Sequence, residues 1–152
     1  MAPKGSTVQF TTGQGLKLTS PDGQFLWIST NLSGTVLYGS LNDFDNFVCK
    51  DRRLNSVWDT FEDPTDTILL SQILGRGGVL SFRKSEIDFA RGKFQLVPQD
   101  YGNLVMHSID LPSRYPNENY FETDTVESET SSPGVELVFN KSGELHVLRD
   151  NG

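Results

Sequence analysis

Glu62, Asp63 and Asp66 crowd three carboxylates into the stretch Trp58 to Gln72, WDTFEDPTDTILLSQ. Carboxylates at that spacing could share acid–base work or hold a cation. No His, Lys or Arg lies within the stretch to complete such a site, so a structural corner is the stronger reading. A second acidic run, Asn117 to Ser132, contains Glu118, Glu122, Asp124, Glu127 and Glu129 with no Lys or Arg. Its spacing lacks the EF-hand arrangement, so it reads as a solvated loop rather than a calcium site. Cys49 is alone, which excludes an intrachain disulfide and a thiolate zinc site. It lies in the apolar run Phe47-Val48-Cys49, where it reads as a small buried hydrophobe. His107 and His146 each alternate with apolar residues, and neither has a second histidine nearby. No nucleophile–base pair and no carboxylate pair in a cleft pattern emerges, so the chain reads as non-catalytic, with no cofactor and no metal.

These side chains need a scaffold, and 152 residues suffice to bury a core as one domain or two small ones. Hydrophobic residues are only 36%, but ten Phe, four Tyr and two Trp supply bulk. Fourteen Gly and seven Pro imply many turns and favour an all-β chain. A net charge of −7 argues against nucleic acid or an anionic membrane surface as partner. No apolar run approaches a membrane span, and the start MAPKGSTVQF lacks the apolar core of a secretory signal. Asn31-Leu32-Ser33 and Asn140-Lys141-Ser142 are acceptor sequences for N-glycosylation, at Asn31 and Asn140, if the chain is secreted.

No window has sustained helical spacing of apolar residues. Instead a unit recurs: apolar strand, polar turn, alternating apolar residues. Phe10 leads through Thr11-Thr12-Gly13 to Leu16-Lys17-Leu18. Leu96 and Val97 lead through Asp100-Tyr101-Gly102 to Leu104-Val105-Met106. Val138 and Phe139 lead through Lys141-Ser142-Gly143 to Leu145-His146-Val147. A worn copy runs from Leu37 through Asp43 and Asp45 to Phe47-Val48-Cys49, and Pro21-Asp22-Gly23 makes a further hairpin. Hairpins are therefore expected to turn at Gly23, Gly102 and Gly143, where glycine supplies positive φ. In Trp58 to Gln72, Pro64 turns the chain and Thr65, Asp66 and Thr67 are expected to bond local backbone N–H groups. Ile68-Leu69-Leu70 then reads as a fresh strand, and Gly75 to Gly78 as a loop.

Trp58, Phe61, Pro64, Thr65, Asp66, Thr67, Leu69 and Gln72 fall on a W-x-S-F-x-x-P-T-D-T-x-L-x-x-Q pattern, with Thr60 for Ser. In this the chain resembles the bulb-type (mannose-binding, G-type) lectin domains of plant S-domain receptor-like serine/threonine kinases. Ser85 to Phe94 is similar to the family's S-x-x-D-x-S-x-G-x-F/Y segment with Ala90 for Ser, and Gly102-Asn103-Leu104-Val105 to its G-N-L-V hairpin. The resemblance runs from about Ser6 to Leu148 and implies a β-prism II-like fold of antiparallel hairpins. It implies part of a first lectin module at residues 6–62, a connecting corner at 63–74 with Trp58 buried at the junction, and a second lectin-like module at 75–152. The aromatic opening segment of the family's first module is not upstream of Gly5, so an ectodomain fragment is expected. Its uncovered groups, Phe10, Leu16, Leu18 and Trp27 among them, would favour self-association.

Mannose-binding members of the family use a Q-x-D-x-N-x-V-x-Y strand to pair sugar hydroxyls. Gln99, Asn103 and Val105 match it, whereas Tyr101 replaces Asp and His107 replaces Tyr. The copy at Asn42 to Lys50 keeps Asn46 and Val48, and the copy at Asn140 to Leu148 keeps none. The resemblance thus implies a non-catalytic recognition module of a receptor kinase, on the extracellular side of the plasma membrane or secreted. It would sense a carbohydrate or other extracellular ligand or join a co-receptor, with sugar binding lost. A working mannose lectin and a purely structural or interaction fragment are the alternatives.

Overall fold

Backbone amides that leave a strand ladder can pair within the turn that ends it, and among the described residues five turns do so by one design. The turns are Ser20 to Gln24, Asn42 to Asn46, Asp51 to Asn55, Gln99 to Asn103 and Asn140 to Glu144. In each, the first residue's N–H donates to the fifth residue's carbonyl, and the fourth residue's N–H donates to the first residue's carbonyl, at 2.7–3.2 Å. The fourth residue is always left-handed: Gly23, Asp45, Leu54, Gly102 and Gly143, with φ between 62° and 100°. Asn42, Asp51 and Asn140 add a side-chain clasp. The Oδ1 of each accepts the N–H groups two and four residues on, at 2.8–3.1 Å.

The computed structural model describes residues 2–126 and 132–150. It is all-β: every strand pairing is antiparallel, and no α-helix occurs among the described residues. The chain forms two compact units, Met1–Asp63 and Pro64–Gly152. In the first, β1 (Thr7–Thr11), β2 (Gly15–Thr19) and β3 (Phe25–Ile28) form one sheet, and β4 (Tyr38–Leu41), β5 (Phe47–Lys50) and β6 (Ser56–Asp59) another. Val36, Cys49, Val57 and Trp58 make its core, and Leu16 of β2 packs against them, so both sheets share one interior. Trp58 is 2% exposed and lies 6.1 Å from the Trp27 ring. It is buried as expected, in the core of this unit. Phe10 and Trp27 are exposed as expected, but Leu16 and Leu18 are half-buried.

The second unit holds β7 (Ile73–Gly75), β8 (Leu80–Ser85), β9 (Asp88–Pro98), β10 (Leu104–Ile109), β11 (Pro116–Glu122), β12 (Gly134–Phe139) and β13 (Leu145–Arg149). They form a sheet ordered β11-β10-β9-β8 and a sheet ordered β13-β12-β7. Leu74, Leu80, Leu104 and Leu137 meet between them, with Ile68, Leu96 and Val147 packed alongside.

Three expectations need correction. Ile68 to Leu70 is not a strand: Gln72 Oε1 accepts the Leu69 N–H at 2.8 Å and Gln72 N–H donates to Leu69 O, which closes a turn instead. Ladder-like pairing begins only where Ser71 N–H meets Phe139 O at 2.7 Å. The Thr65 and Thr67 hydroxyls bond the Asp66 carboxylate rather than backbone amides, and Asp66 pairs with Arg83 of β8 at 3.2 Å. Finally, the acidic run starts as an edge strand: β11 pairs with β10 while its residues stay exposed. Glu127 and Glu129 lie outside the described residues.

Leu54 is the exception among the five left-handed positions, since it is neither Gly nor Asp. A bulky L-residue there costs about 1–2 kcal/mol, and its side chain, 65% exposed, recovers little by packing. Leu54→Gly should therefore stabilise the chain by about 0.5–1 kcal/mol after the extra unfolded-state entropy of glycine is subtracted. A higher urea midpoint at unchanged slope is the expected reading; a lower midpoint would mean the leucine packs usefully.

Candidate functional site

The best-matching strand, Gln99 to His107, begins in the fourth of the repeated turns and continues as β10. Gly102 is left-handed at φ 100°, and a Cβ there would lie 2.5 Å from Pro133 Cβ and 2.8 Å from Gly134 N. The turn is thus pressed against the start of β12, and only glycine fits. Thr125 Oγ1 donates to Gly102 O at 2.6 Å, and Thr125 N–H donates to Asn103 Oδ1 at 2.7 Å. Asn103 Nδ2 reaches Glu122 Oε2 at 3.4 Å, and Leu104 N–H donates to Thr123 Oγ1 at 3.0 Å. Asn103, 5% exposed, is therefore spent on fastening the turn to the chain after β11. Val105 is 0% exposed and turns no surface outward. Gln99 is half-buried, and its Oε1 has no hydrogen-bond partner among the described residues. Tyr101 and Asp100 are exposed, beside an open cleft of about 320 Å³ that also touches Arg76, Pro133 and Asp150.

His107 is also inside. It sits directly opposite Gln95 of β9, which sits opposite Ser81 of β8. Gln95 Nε2 donates to Ser81 Oγ at 3.3 Å, so Gln95 Oε1 must accept, and His107 Nε2 at 3.2 Å carries the proton. The three side chains form a polar rung across the sheet. Burial pushes the His107 pKa below its ordinary 6.5, because a charged imidazole would lose its hydration. His146 is exposed.

The remaining reactive groups do not converge. Cys49 is fully buried, and burial pushes its thiol pKa up, away from nucleophilic character. Glu62 is pushed up by burial first and then by the Asp59 and Asp63 carboxylates. Asp59 itself caps the 3₁₀ turn Thr60–Glu62 by accepting the Phe61 N–H at 2.9 Å. In the copy at Asn42 to Lys50, Asn46 is buried and its Oδ1 accepts from Thr60 Oγ1 at 2.9 Å, as Asn103 accepts from Thr125. Asn31 is exposed on a loop, whereas both polar atoms of the Asn140 amide are engaged within its own turn.

The chain is 38% identical over 158 residues to the G-type lectin S-receptor-like serine/threonine-protein kinase RLK1 of Arabidopsis thaliana. It is 36% identical over 149 residues to LECRK3 of Oryza sativa subsp. indica and 34% over 148 residues to LECRK2 of Oryza sativa subsp. japonica, both also named G-type lectin S-receptor-like kinases. These matches cover 97–99% of this chain. The chain is homologous to the lectin part of G-type lectin S-receptor-like kinases. No family model matches it. The chain spans 17–19% of the length of these relatives, and what aligns is their lectin region and not their kinase domain. In this chain, then, the pattern residues Asn103 and Val105 are interior groups, whereas Tyr101 is exposed. Arg83, Phe89 and Arg91, which line or flank another cleft, carried no motif signal; the pairing of Arg83 with Arg91 across β8 and β9 is visible only once the register is known.

Two outcomes test this placement. Asn103→Ala leaves the Thr125 N–H without its acceptor and should destabilise the chain by about 1–3 kcal/mol, read as a lower urea midpoint. An unchanged midpoint would show that the amide is not structural. For His107, the unfolded chain takes up the proton more readily than the folded one. Its contribution is fully present above pH 6.5 and is lost as the pH falls through the lowered folded-state value. Denaturation at about pH 8 and about pH 5 should therefore show a fall in stability that His107→Gln makes smaller; an identical fall in the variant would overturn the assignment.

Proposed function

We propose that this chain is a non-catalytic recognition module of a plant receptor-like kinase, placed on the extracellular side, and that it does not take mannose through Gln99 to His107. The homology to G-type lectin S-receptor-like kinases supports the first part. The observation that carries the second is the inward placement of Asn103 and Val105 beside an exposed Tyr101. A sugar site needs fixed, unspent donors and acceptors at the surface, because each hydroxyl it desolvates must be paired again. Here the Asn103 amide is buried and held by Thr125 and Glu122. The phenol of Tyr101 replaces charged acceptors, each worth about 1.5–3 kcal/mol in hydrogen bonding. A millimolar complex amounts to only about −4 kcal/mol, so losing such anchors removes measurable binding. The module then senses another extracellular ligand or joins a co-receptor, and carries its glycan at Asn31, whose side chain is not tied into a turn.

Calorimetric titration with mannose and mannose oligosaccharides should give no heat beyond dilution. Saturable mannose binding whose amide shifts map to Gln99 through His107 would overturn this reading.

A further inference from the structure

A second cleft, on the face of the β8–β9 pair, is used by nothing above. Thr65, Asp66, Ser81, Phe89 and Arg91 line it, and it encloses about 300 Å³, at the small end of ligand-sized pockets. Its charges are unusual for a chain of net charge −7. Arg83 and Arg91 are direct cross-strand partners, and like charges placed opposite one another destabilise a sheet. Asp66 answers one of them: its Oδ2 lies 3.2 Å from Arg83 Nε, and the Thr65 and Thr67 hydroxyls hold its other oxygen at 3.4 and 3.1 Å. Thr65 O accepts the Ser81 N–H at 2.8 Å, which clamps this corner onto β8. Arg91 has no such answer, because the ion pairs among the described residues are Arg83–Asp66 and Lys84–Asp88. The Arg83 guanidinium also lies 5.0 Å from the centre of the Phe89 ring, which holds that ring at the cleft while leaving it 68% exposed.

We propose that this cleft binds a carboxylated sugar. The sugar carboxylate pairs with Arg91, its hydroxyls meet the Asp66 carboxylate and the Thr65 hydroxyl, and a C–H face of the ring lies on Phe89. Each wall selects one feature of the ligand. An anion relieves the Arg83–Arg91 repulsion, which a neutral sugar cannot do. Oriented acceptors favour a polyhydroxylated ligand over a bare carboxylate. An acidic peptide would pair its backbone along a free strand edge, whereas this cleft lies over the face of the sheet. The proposal goes beyond the recognition role argued above. It uses none of Gln99 to His107, so it can fail without that reading failing.

The test is amide-resolved NMR titration of the whole 152-residue chain, at one fixed salt concentration, with D-galacturonate, D-galactose, acetate and a hexaglutamate peptide. Galacturonate should shift Asp66, Ser81, Phe89 and Arg91 in a saturable way, with galactose and acetate each about tenfold weaker or more, and hexaglutamate weaker than galacturonate. Arg91→Gln should cost about tenfold in affinity by removing a charge-assisted contact, and Phe89→Ala should weaken binding as well. Both side chains are exposed, and the variants' own spectra report their folding. Equal binding of acetate would show a bare carboxylate site and overturn the proposal. Equal binding of galactose, tighter binding of hexaglutamate, or shifts that map elsewhere would each overturn the proposal, and these readings need only the unmodified chain.

Discussion

The constraint on which the structure depends is the closure of short strands by a turn that must place its fourth residue in the left-handed region. Two backbone hydrogen bonds fix the turn, and the right-handed twist of the strands then follows on either side. Because the same closure recurs in both units, strand register is set locally five times over. The consequence is a chain whose cores can be small. One is built on the buried cluster Val36, Cys49, Val57 and Trp58, the other on the buried cluster Leu74, Leu80, Leu104 and Leu137. Such cores are adequate only because local pairing already limits the alternatives that packing must exclude.

The same economy explains what became of the pattern residues. Asn at the fifth turn position can bond outward to a ligand or backward to the protein. At both Asn46 and Asn103 it bonds backward, to a threonine hydroxyl in one case and a threonine amide in the other. Thr123, Thr125 and Glu122 arrive beside Asn103 because β11 leaves the sheet just there. An amide that is 5% exposed and holds two partners inside the fold presents little of itself to a sugar hydroxyl. A folding role therefore accounts for Asn at both positions.

The all-β class, the hairpins at Gly23, Gly102 and Gly143, and the burial of Cys49 and Trp58 were legible in the sequence, because each rests on local pattern and turn chemistry. The turn through Asp45 was legible as a worn copy of the repeat, but the turn from Asp51 to Asn55 was not, because nothing in the residue type of Leu54 announces a left-handed position. Ile68 to Leu70 looked like a strand because apolar runs do, yet Gln72 closes a turn over it, a side-chain effect that periodicity does not register. The edge strand β11 was missed for the opposite reason: pairing on one side suffices to make a strand even where neither face is apolar. The Asp66–Arg83 pair was out of reach altogether. It depends on which face of β8 meets the corner after Pro64, which is tertiary information.

That pair also bears on how the second unit holds its buried polar groups. Ser81 belongs both to the cleft wall and to the rung through Gln95 to His107. Its Oγ accepts from Gln95 and keeps its own proton to donate. Gln95 can serve both neighbours only while its amide keeps one orientation, oxygen toward His107 and nitrogen toward Ser81. A proton on His107 Nε2 fits that orientation, and burial favours the neutral ring. One amide, Gln95, thus links the buried imidazole of β10 to the serine in the cleft wall.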